Sequence, residues 1–571
     1  MSEETEVLII GAGPVGLSAA LALGRAGVSC RVLERRDAFS RYPKANGVHA
    51  RTMEIFREWG VVKPIRALTA GMPDDVTIAW RTRLNGIEIG QMSTSDADET
   101  SRLFDEQSPE SLSVVGQHMF EPILAKAAEA MDGVTIGLGC EVVDLVNGPD
   151  SVTAAYTGAD SVRHTIVARY AIAADGIRSV TRRALGIGEH SQESLGTAIN
   201  VQFDADLEPY LGGRFVPIIW IINADTQGAF IRDGATRWRY NFEIPPGADP
   251  AAVTAEECQK QVMSAIGETV AIKVHHIWSW SHDLSVTDTW RSGRVFLAGD
   301  AAHHFPPHGG FGLNSGVQDA QNIAWKLVAR LRWNAGDGLL ATYEGERLPV
   351  AESNGEQMMY NTRQMEKTGF LTQDKDFLAM LETPEGGPAR QAIADGIPAQ
   401  REMLASHGLQ FGYQYRSEAV VPDGTAIVES SVAEYRPTAR PGARAPHSWV
   451  RYQDRTISTI DHYDGGFVLL TGPDNAGWAK AADRLRRRLR IPLKVLGLGS
   501  DLGPVDDTVA ELLQRYELRP SGALLIRPDG FVGFRSIEGV GDEHRALDDA
   551  LRQILDLPRA GRFGQVANTT G

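Results

Sequence analysis

The sequence predicts an α/β fold in which a parallel sheet is interleaved with an antiparallel one and followed by a smaller α/β unit. Three observations lead there. The chain opens as strand, glycine-rich turn, helix and strand, a βαβ start that implies a parallel sheet. A middle stretch alternates apolar and polar residues, as in Thr236-Arg237-Trp238-Arg239-Tyr240-Asn241-Phe242, the period of half-buried strands. Residues 436–446 pack three prolines and a glycine into a short run, which marks a linker or domain edge.

The elements follow in order. Residues 7–10 read as a strand, 11–16 as the turn, 17–26 as a helix and 29–34 as the second strand of a unit reaching about Gly186. Residues 189–290 read as antiparallel strands, with turns at Asp233-Gly234 and Pro245-Pro246-Gly247. Residues 294–298 form a buried strand running into a Gly/Pro-rich loop. A helix follows over 315–332, and 347–412 reads as mostly helical. Beyond the proline run, 467–470 and 493–496 read as strands around a basic helix over 475–489. A hairpin turns across Pro528-Asp529-Gly530, a last helix spans 543–555, and the tail after Arg559 is polar and frayed.

Composition narrows the function. The chain has 571 residues, 43% apolar and 23% charged, ample for several domains and unlike a disordered or collagen-like protein. Acidic residues outnumber Lys and Arg by 73 to 57, a formal charge of −16, so no nucleic-acid partner is expected. Cys30, Cys140 and Cys258 are too few for a disulfide framework and fit no zinc or Cys-x-x-Cys spacing, so a cytoplasmic setting is expected. The one stretch that could mimic a membrane span, 7–24, is interrupted by Gly11, Gly13, Pro14 and Gly16. The residues before it are acidic, where a secretory signal is basic. No membrane partner is expected.

Gly11-Ala12-Gly13-Pro14-Val15-Gly16 has G-x-G-x-x-G spacing between a strand and a helix, the context that makes the motif informative. Gly11 permits the tight turn, Gly13 lets a pyrophosphate approach the backbone, and Gly16 lets helix and strand pack closely. The helix N-terminus, opened by Pro14, offers free N–H groups to phosphates. Glu34 ends the second strand, where its carboxylate can accept from an adenosine ribose; Arg35 follows it. An acid there disfavours a 2′-phosphate, so FAD or NAD is preferred to NADP as the tightly held ligand. The motif alone does not separate FAD from NAD.

Two further strand ends do. Ala173-Ala174-Asp175-Gly176-Ile177-Arg178-Ser179 and Leu297-Ala298-Gly299-Asp300-Ala301-Ala302-His303, in this order and spacing, resemble the single-component FAD-dependent aromatic monooxygenases, the flavoprotein hydroxylases. The resemblance is strong over about residues 5–355. Its longest match runs from Gly299 to Leu327 and is similar to that family's G-D-A-A-H-x-x-P-P-x-G-G-x-G-x-N signature and its helical continuation. The resemblance implies that Asp300 binds the FAD ribityl chain and that backbone groups of Pro307 and of Gly312, Leu313 and Asn314 face the isoalloxazine. It ties Asp175 to FAD and nicotinamide binding, places Gln117 and Glu121 on a helix touching FAD, and sets Arg51 near the FAD phosphates. Beside this stands a physical reading. Reduced flavin is anionic, and a helix start near Ser315 offers it a positive end without a formal charge. His303, His304 and His308 lack an accompanying carboxylate ligand set, so no metal is expected.

Within the family the chain resembles the phenol and polyketide hydroxylases. Residues 42–54 resemble their second-strand approach to the flavin, and the part after the proline run resembles their thioredoxin-like C-terminal domain. The expected domains are therefore 1–188, FAD-binding domain, first part; 189–290, substrate-binding sheet domain; 291–435, FAD-binding domain, second part with a helical segment; and 436–571, thioredoxin-like. Without cysteines the last cannot do dithiol chemistry, which leaves it a structural role or one in homodimer contacts. Two departures stand out. Simple-phenol hydroxylases of this group carry a histidine base where Asn46 falls here, and Asn is no base near neutral pH. The arginine that grips the carboxylate in para-hydroxybenzoate hydroxylase becomes Asp233, which argues against a benzoate. Asn46, His49, Tyr240 and Pro307 are the catalytic candidates, with Arg239 and Tyr240 facing flavin or substrate.

What the resemblance implies is an enzyme that hydroxylates a phenolic or polycyclic, polyketide-like aromatic substrate. NADPH or NADH reduces FAD transiently, O₂ is the co-substrate, and a C4a-hydroperoxyflavin carries the oxygen. A Baeyer–Villiger oxygenation and a flavin dehydrogenase or reductase on the same fold stand as alternatives.

Overall fold

A computed structural model describes residues 3–70, 77–93, 106–192, 196–245, 247–370 and 372–558. The tail after Arg559 and Pro246 of the predicted turn lie outside the described residues. The chain forms two compact units. The first is Met1–Gln321, Leu348–Phe411 and Ser430–Tyr435; the second is Asn322–Arg347, Gly412–Glu429 and Arg436–Gly571.

The first unit holds the parallel sheet. Its strands run in the order Arg291–Ser292, Val295–Leu297, Arg163–Ala173, Glu3–Ile10, Cys30–Glu34, Val134–Leu138. A continuous apolar run is what a strand covered on both faces needs, and Val7, Leu8, Ile9 and Ile10 are all buried. The register matters more than the content. Ile10 pairs with Ala173, and Ala173 pairs with Leu297, all in parallel. Three segments spread over nearly 290 residues of sequence therefore leave the sheet side by side. The first helix, Pro14–Arg25, returns the chain to Cys30–Glu34.

The second sheet of this unit has seven strands, in the order Lys273–Ser281, Thr197–Asp204, Arg237–Ile244, Gln227–Arg232, Ile218–Ile222, Thr77–Arg81, Glu88–Ser93. The alternating stretch supplies five of them. The other two come from the residues before Gly186, with Thr77–Arg81 lying parallel to Ile218–Ile222. Side chains alternate across it. Trp238, Tyr240 and Phe242 enter a core with Val201, Phe203, Phe230 and the helix Ala255–Ile266, while Arg239, Asn241 and Glu243 face a cavity on the other side.

The helix expected over 315–332 begins four residues earlier and spans Phe311–Arg332. Gly309 and Gly310 take up the positive φ angles of the loop, +133° and +73°, so the chain is free to coil from Phe311. Gly312, a poor helix former, hides that start in the sequence.

The second unit carries a four-stranded sheet in the order Leu493–Gly497, Phe467–Thr471, Ala523–Ile526, Val532–Ser536. Its helices include Ala476–Leu489 and Glu543–Ile554. The proline run 436–446 is a packed edge rather than an exposed linker. Ala439 and Ala445 are fully buried in this unit's core, and Ala443 accepts a hydrogen bond from the Val532 N–H at 2.8 Å. Small side chains between the prolines let the backbone lie against the hairpin.

A buried ionic cluster also belongs to this unit. Arg527 bonds Glu346 and Asp529, Lys326 donates to Glu346 at 2.8 Å, and the Trp325 indole N–H donates to Asp529 at 3.1 Å. Asn322, Trp325 and Lys326 match the far end of the 299–327 signature, and here they tie to this cluster rather than to the loop at the other end of the match.

Candidate functional site

The three adjacent strand ends deliver Gly11, Asp175 and Asp300 to one rim, the carboxyl edge of a parallel sheet where doubly wound folds bind ligands. They line a cavity of about 1670 Å³ that extends along the loop 305–313 and onto the second sheet, entirely within the first unit.

At the dinucleotide end the glycines divide their work. Gly11 sits at φ +103°, and a Cβ there would lie 2.3 Å from the Ala174 carbonyl oxygen. A Cβ on Gly16 would lie 2.0 Å from the Gly11 carbonyl oxygen, so helix and strand touch through it. A Cβ on Gly13 would meet nothing within 4 Å beyond its chain neighbours and its own helix backbone. Gly13 caps a helix that no side chain caps and whose first turn carries no acid. Uncapped N–H groups beside an open flank fit a pyrophosphate. Glu34 is held in place by the Ala12 N–H, 2.9 Å, and the Arg36 Nε–H, 2.8 Å. Burial alone would raise this carboxyl; the bonds from Arg36 and Ala12 outweigh it and hold the pKa below the usual range. Arg35 lines the same wall. One oxygen of Asp175 accepts from the Thr181 N–H and hydroxyl at 3.1 and 3.0 Å. Its other oxygen, Oδ1, is buried with no partner among the described residues. An orphaned carboxylate oxygen and an open phosphate cradle on one wall fit an adenine dinucleotide.

Gln117 lines the cavity and donates to Glu121, which in turn accepts from the Ser40 N–H. Arg51 stands apart from the wall: it donates to Glu54 at 3.0 Å and to Gln321 at 3.2 Å. Lys44 lines the dinucleotide end instead, and burial, with Arg36 nearby, lowers its pKa.

Pro307, Gly312 and Leu313 form the middle of the wall. Asn314 lies behind them, fully buried. Its Oδ1 accepts from the His49 N–H at 2.9 Å, and its Nδ2 donates to the Gly47 and Gly310 carbonyls at 3.0 and 2.7 Å. It thus pins the 47–49 segment to the loop. His49 is the N-cap of a helix, Ala50–Glu58, rather than a strand residue. It points into the wall, donating from Nε2 to the Gly309 carbonyl at 2.9 Å, and burial pushes its pKa down to about 4. It is neutral at pH 7.

The sheet end has a polar pole and an aromatic wall. Asp233 accepts from Asn46 at 3.2 Å, Gln202 at 3.2 Å and Arg239 at 3.4 Å. Asn46 Oδ1 and Arg239 Nε are left buried without partners among the described residues. Ile218, Trp220, Ile231, Trp280 and Phe370 supply the apolar wall. Tyr240 is a correction. One residue on from Arg239, it points to the opposite face, its hydroxyl 2.7 Å from Thr226 Oγ1 inside the sheet core. The histidines near the loop have separate partners: His303 meets Asp319 at 2.7 Å and His308 meets Thr362 at 2.8 Å. Glu243 and His282, also on this wall and 2.6 Å apart, are not legible as a pair in the sequence. A lone acid on one strand and a lone histidine past the end of another carry no spacing signal.

Residues 4–357 match the FAD binding domain family, and residues 438–558 match the C-terminal domain of aromatic-ring hydroxylases. The chain belongs to the FAD-dependent aromatic-ring monooxygenases. Among these monooxygenases it is 35% identical to tetracenomycin A2 monooxygenase-dioxygenase of Streptomyces glaucescens, over 97% of each chain. It is 33% identical to 4-methyl-5-nitrocatechol 5-monooxygenase of a Burkholderia species, over 97% of this chain and 98% of that one. The flavin-dependent monooxygenase PieE, solved with FAD and substrate, superposes with a TM-score of 0.89 at 30% identity, covering 97% of this chain and 99% of that one. Aklavinone-11 hydroxylase, solved with FAD and aklavinone, gives 0.82 at 31% identity, covering 97% and 100%. The monooxygenase is thus an FAD enzyme, as its sequence led one to expect. No helix among its described residues is long and apolar enough to cross a membrane.

Proposed function

We propose that the protein hydroxylates a phenolic, polycyclic aromatic substrate with NAD(P)H and O₂ at its FAD. When bound, FAD supplies the redox chemistry, taking two electrons from the nicotinamide and passing one atom of O₂ to the ring by the C4a route expected from the sequence. One observation carries this reading: the dinucleotide end, the glycine-rich loop and the aromatic-walled sheet share a single cavity of about 1670 Å³. That exceeds the ~300–1,000 Å³ of one small-molecule site, so two ligands can meet at the loop.

In this reading the first-turn N–H groups and the open flank of Gly13 hold the pyrophosphate. Glu34 takes the ribose hydroxyls, with Arg35 and Arg36 beside it. Asp300 takes the ribityl chain, and Asp175 offers its unpaired oxygen. Pro307, Gly312 and Leu313 present backbone to the ring, while Asn314 fixes their position. Arg51 acts from behind the wall through Glu54 and Gln321. Trp220, Trp280 and Phe370 exclude water from the reacting ring.

The substrate's size follows from the strand that floors it. Arg239, Asn241 and Glu243 alternate onto the wall. Four residues at ~3.3 Å each set Arg239 and Glu243 ~13 Å apart, a span one benzene ring cannot bridge. With Asp233 in place of a carboxylate-gripping arginine, the Asn46–Asp233–Arg239 pole suits a neutral hydroxyl or carbonyl.

The test is steady-state oxidation of NADH and NADPH by the purified yellow protein. Hydroxylated anthraquinones or tetracenes are expected to speed it several-fold more than phenol does, with a product one oxygen heavier. No stimulation by any phenol or polycyclic aromatic overturns the proposal.

A further inference from the structure

We propose that Glu243 and His282 form a proton-accepting dyad at the loop end of the sheet chamber, with His282 the base that ionises the substrate hydroxyl and Glu243 its positioning residue. The proposal rests on the hydroxylase reading above and deepens it.

Both residues line the cavity, from the two strands that flank Thr197–Asp204 in one sheet: Glu243 from the strand Arg237–Ile244, His282 from just past Lys273–Ser281. His282 Nε2 lies 2.6 Å from a Glu243 carboxylate oxygen. A carboxylate only accepts there, so it fixes the proton on Nε2 and leaves the Nδ1 lone pair available. Nδ1 is buried with no partner among the described residues. The ring is held in place. Its backbone N–H donates to the Gly196 carbonyl at 3.0 Å, Trp280 packs 4.2 Å from it, and the His308 ring stacks on it at 5.7 Å with 10° between planes. His308 belongs to the loop that is to face the flavin, which places the His282 ring at the loop end of the chamber.

The other titratable groups near this ring are less well placed. Asp233 already accepts from three donors. His49 also has a buried Nδ1 without a partner among the described residues, but its Nε2–H meets the Gly309 carbonyl, which cannot balance an imidazolium as a carboxylate does. His308 is tied to Thr362, and burial with His282 beside it pushes its pKa down to about 3. Asp283, next in the chain, accepts from the Ser281 hydroxyl through one oxygen and keeps the other buried without a partner among the described residues, but it does not line the cavity. Against His282 itself stand Glu243, neutral His308 and the Trp280 ring.

The step balances simply. The substrate O–H bond breaks, its electron pair stays on oxygen, and the proton binds Nδ1. The imidazolium charge is met by Glu243 through Nε2–H. The phenolate oxygen raises electron density on the ring carbons ortho and para to it. After one atom of O₂ joins such a carbon, that carbon sheds its hydrogen as a proton, which goes with the other oxygen atom into water. The proton on Nδ1 returns to the phenolic oxygen as the ring regains aromaticity.

Alizarin (1,2-dihydroxyanthraquinone), whose colour reports its ionisation, is the probe. Titrated anaerobically into wild-type holoenzyme, it is expected to bind as the anion, its apparent pKa at least one unit below that of the free dye. In His282→Gln that lowering is expected to be lost, the bound dye titrating at or above the pKa of the free dye. Glu243→Gln, close in shape to the wild type, is expected to shift it part of the way, and Glu243→Asp to recover some of the loss. Bound FAD and circular dichroism check folding. With a turned-over polycyclic phenol, kcat of His282→Gln at pH 7 is expected to fall roughly 100-fold or more and to recover as pH rises past the phenol's own pKa. A wild type that takes up the dye only as the neutral form, or not at all, overturns the dyad, as do variants that ionise it like wild type. Aromatic-stimulated NAD(P)H oxidation by the wild type, measured alongside, tests the hydroxylase reading separately. Its absence sinks that reading, and its presence with unchanged dye ionisation in His282→Gln sinks the dyad alone.

Discussion

Gly13 and Asn314 are the residues on which the cofactor half turns, for opposite reasons. Gly13 matters because of the empty space beside it, open for 4 Å around a would-be Cβ. Gly13→Val puts a branched side chain into that space. FAD content, read as the ratio of 450 to 280 nm absorbance, is expected to fall at least tenfold while circular dichroism is unchanged. Asn314 matters because it both accepts and donates, to His49, Gly47 and Gly310. Asn314→Ala strands three buried backbone groups and is expected to cost about 2–4 kcal/mol in urea unfolding. Asn314→Asp, with a carboxylate against two carbonyls, is expected to be at least as damaging. At this scale the sequence is legible where a residue type is demanded by geometry, as at Gly11 and Gly16. It misplaced Tyr240 by one step of the strand alternation, although Trp238 and Phe242 on either side, apolar at the same period, pointed to the core face. Glu243 was legible by the same period, two residues on from Asn241, but nothing in the sequence placed His282 opposite it.

Elements were easier to find than their partners. The βαβ start, the alternating strands and the final hairpin are local patterns, and each stands near where periodicity put it. The pairing of Thr77–Arg81 with Ile218–Ile222 joins strands 140 residues apart, and no local pattern reports that. Nor does the proline run 436–446 reveal that its alanines are buried, because small residues between prolines suit a loop and a tight packing edge equally. The ionic cluster of the second unit makes a prediction at this scale. Lys326, Glu346 and Arg527 are fully buried and Asp529 nearly so. Burial alone would raise the Glu346 carboxyl; Arg527 and Lys326 outweigh it and hold it well below the ordinary range. Arg527→Met leaves two carboxylates facing one ammonium and is expected to cost about 3–5 kcal/mol, measured by urea unfolding of the full chain. A cost under 1 kcal/mol would show that the cluster is not a net support.

Over the whole molecule, buried neutral histidines set the pH response. Burial pushes His49 to about 4, and His308 and His407 to about 3, against about 6.5 when unfolded. Between pH 6.5 and 4 the unfolded chain binds protons that the native histidines refuse, so stability must fall as pH falls through that window. At pH 5 the loss is on the order of 1–2 kcal/mol per histidine, and urea midpoints at pH 7.5, 6 and 5 are expected to drop in that order. A flat profile would contradict the burial. The overall charge of −16 gives an anionic nicotinamide no general attraction. The central proposal is that one cavity lets FAD pass an oxygen atom from O₂ to an intact aromatic ring. Turnover of a stimulating polycyclic phenol under ¹⁸O₂ tests that most directly. The account predicts one ¹⁸O in a new ring hydroxyl on an unbroken carbon skeleton, and none from H₂¹⁸O. Label drawn from water, an opened or expanded ring, or a product formed without O₂ would contradict it.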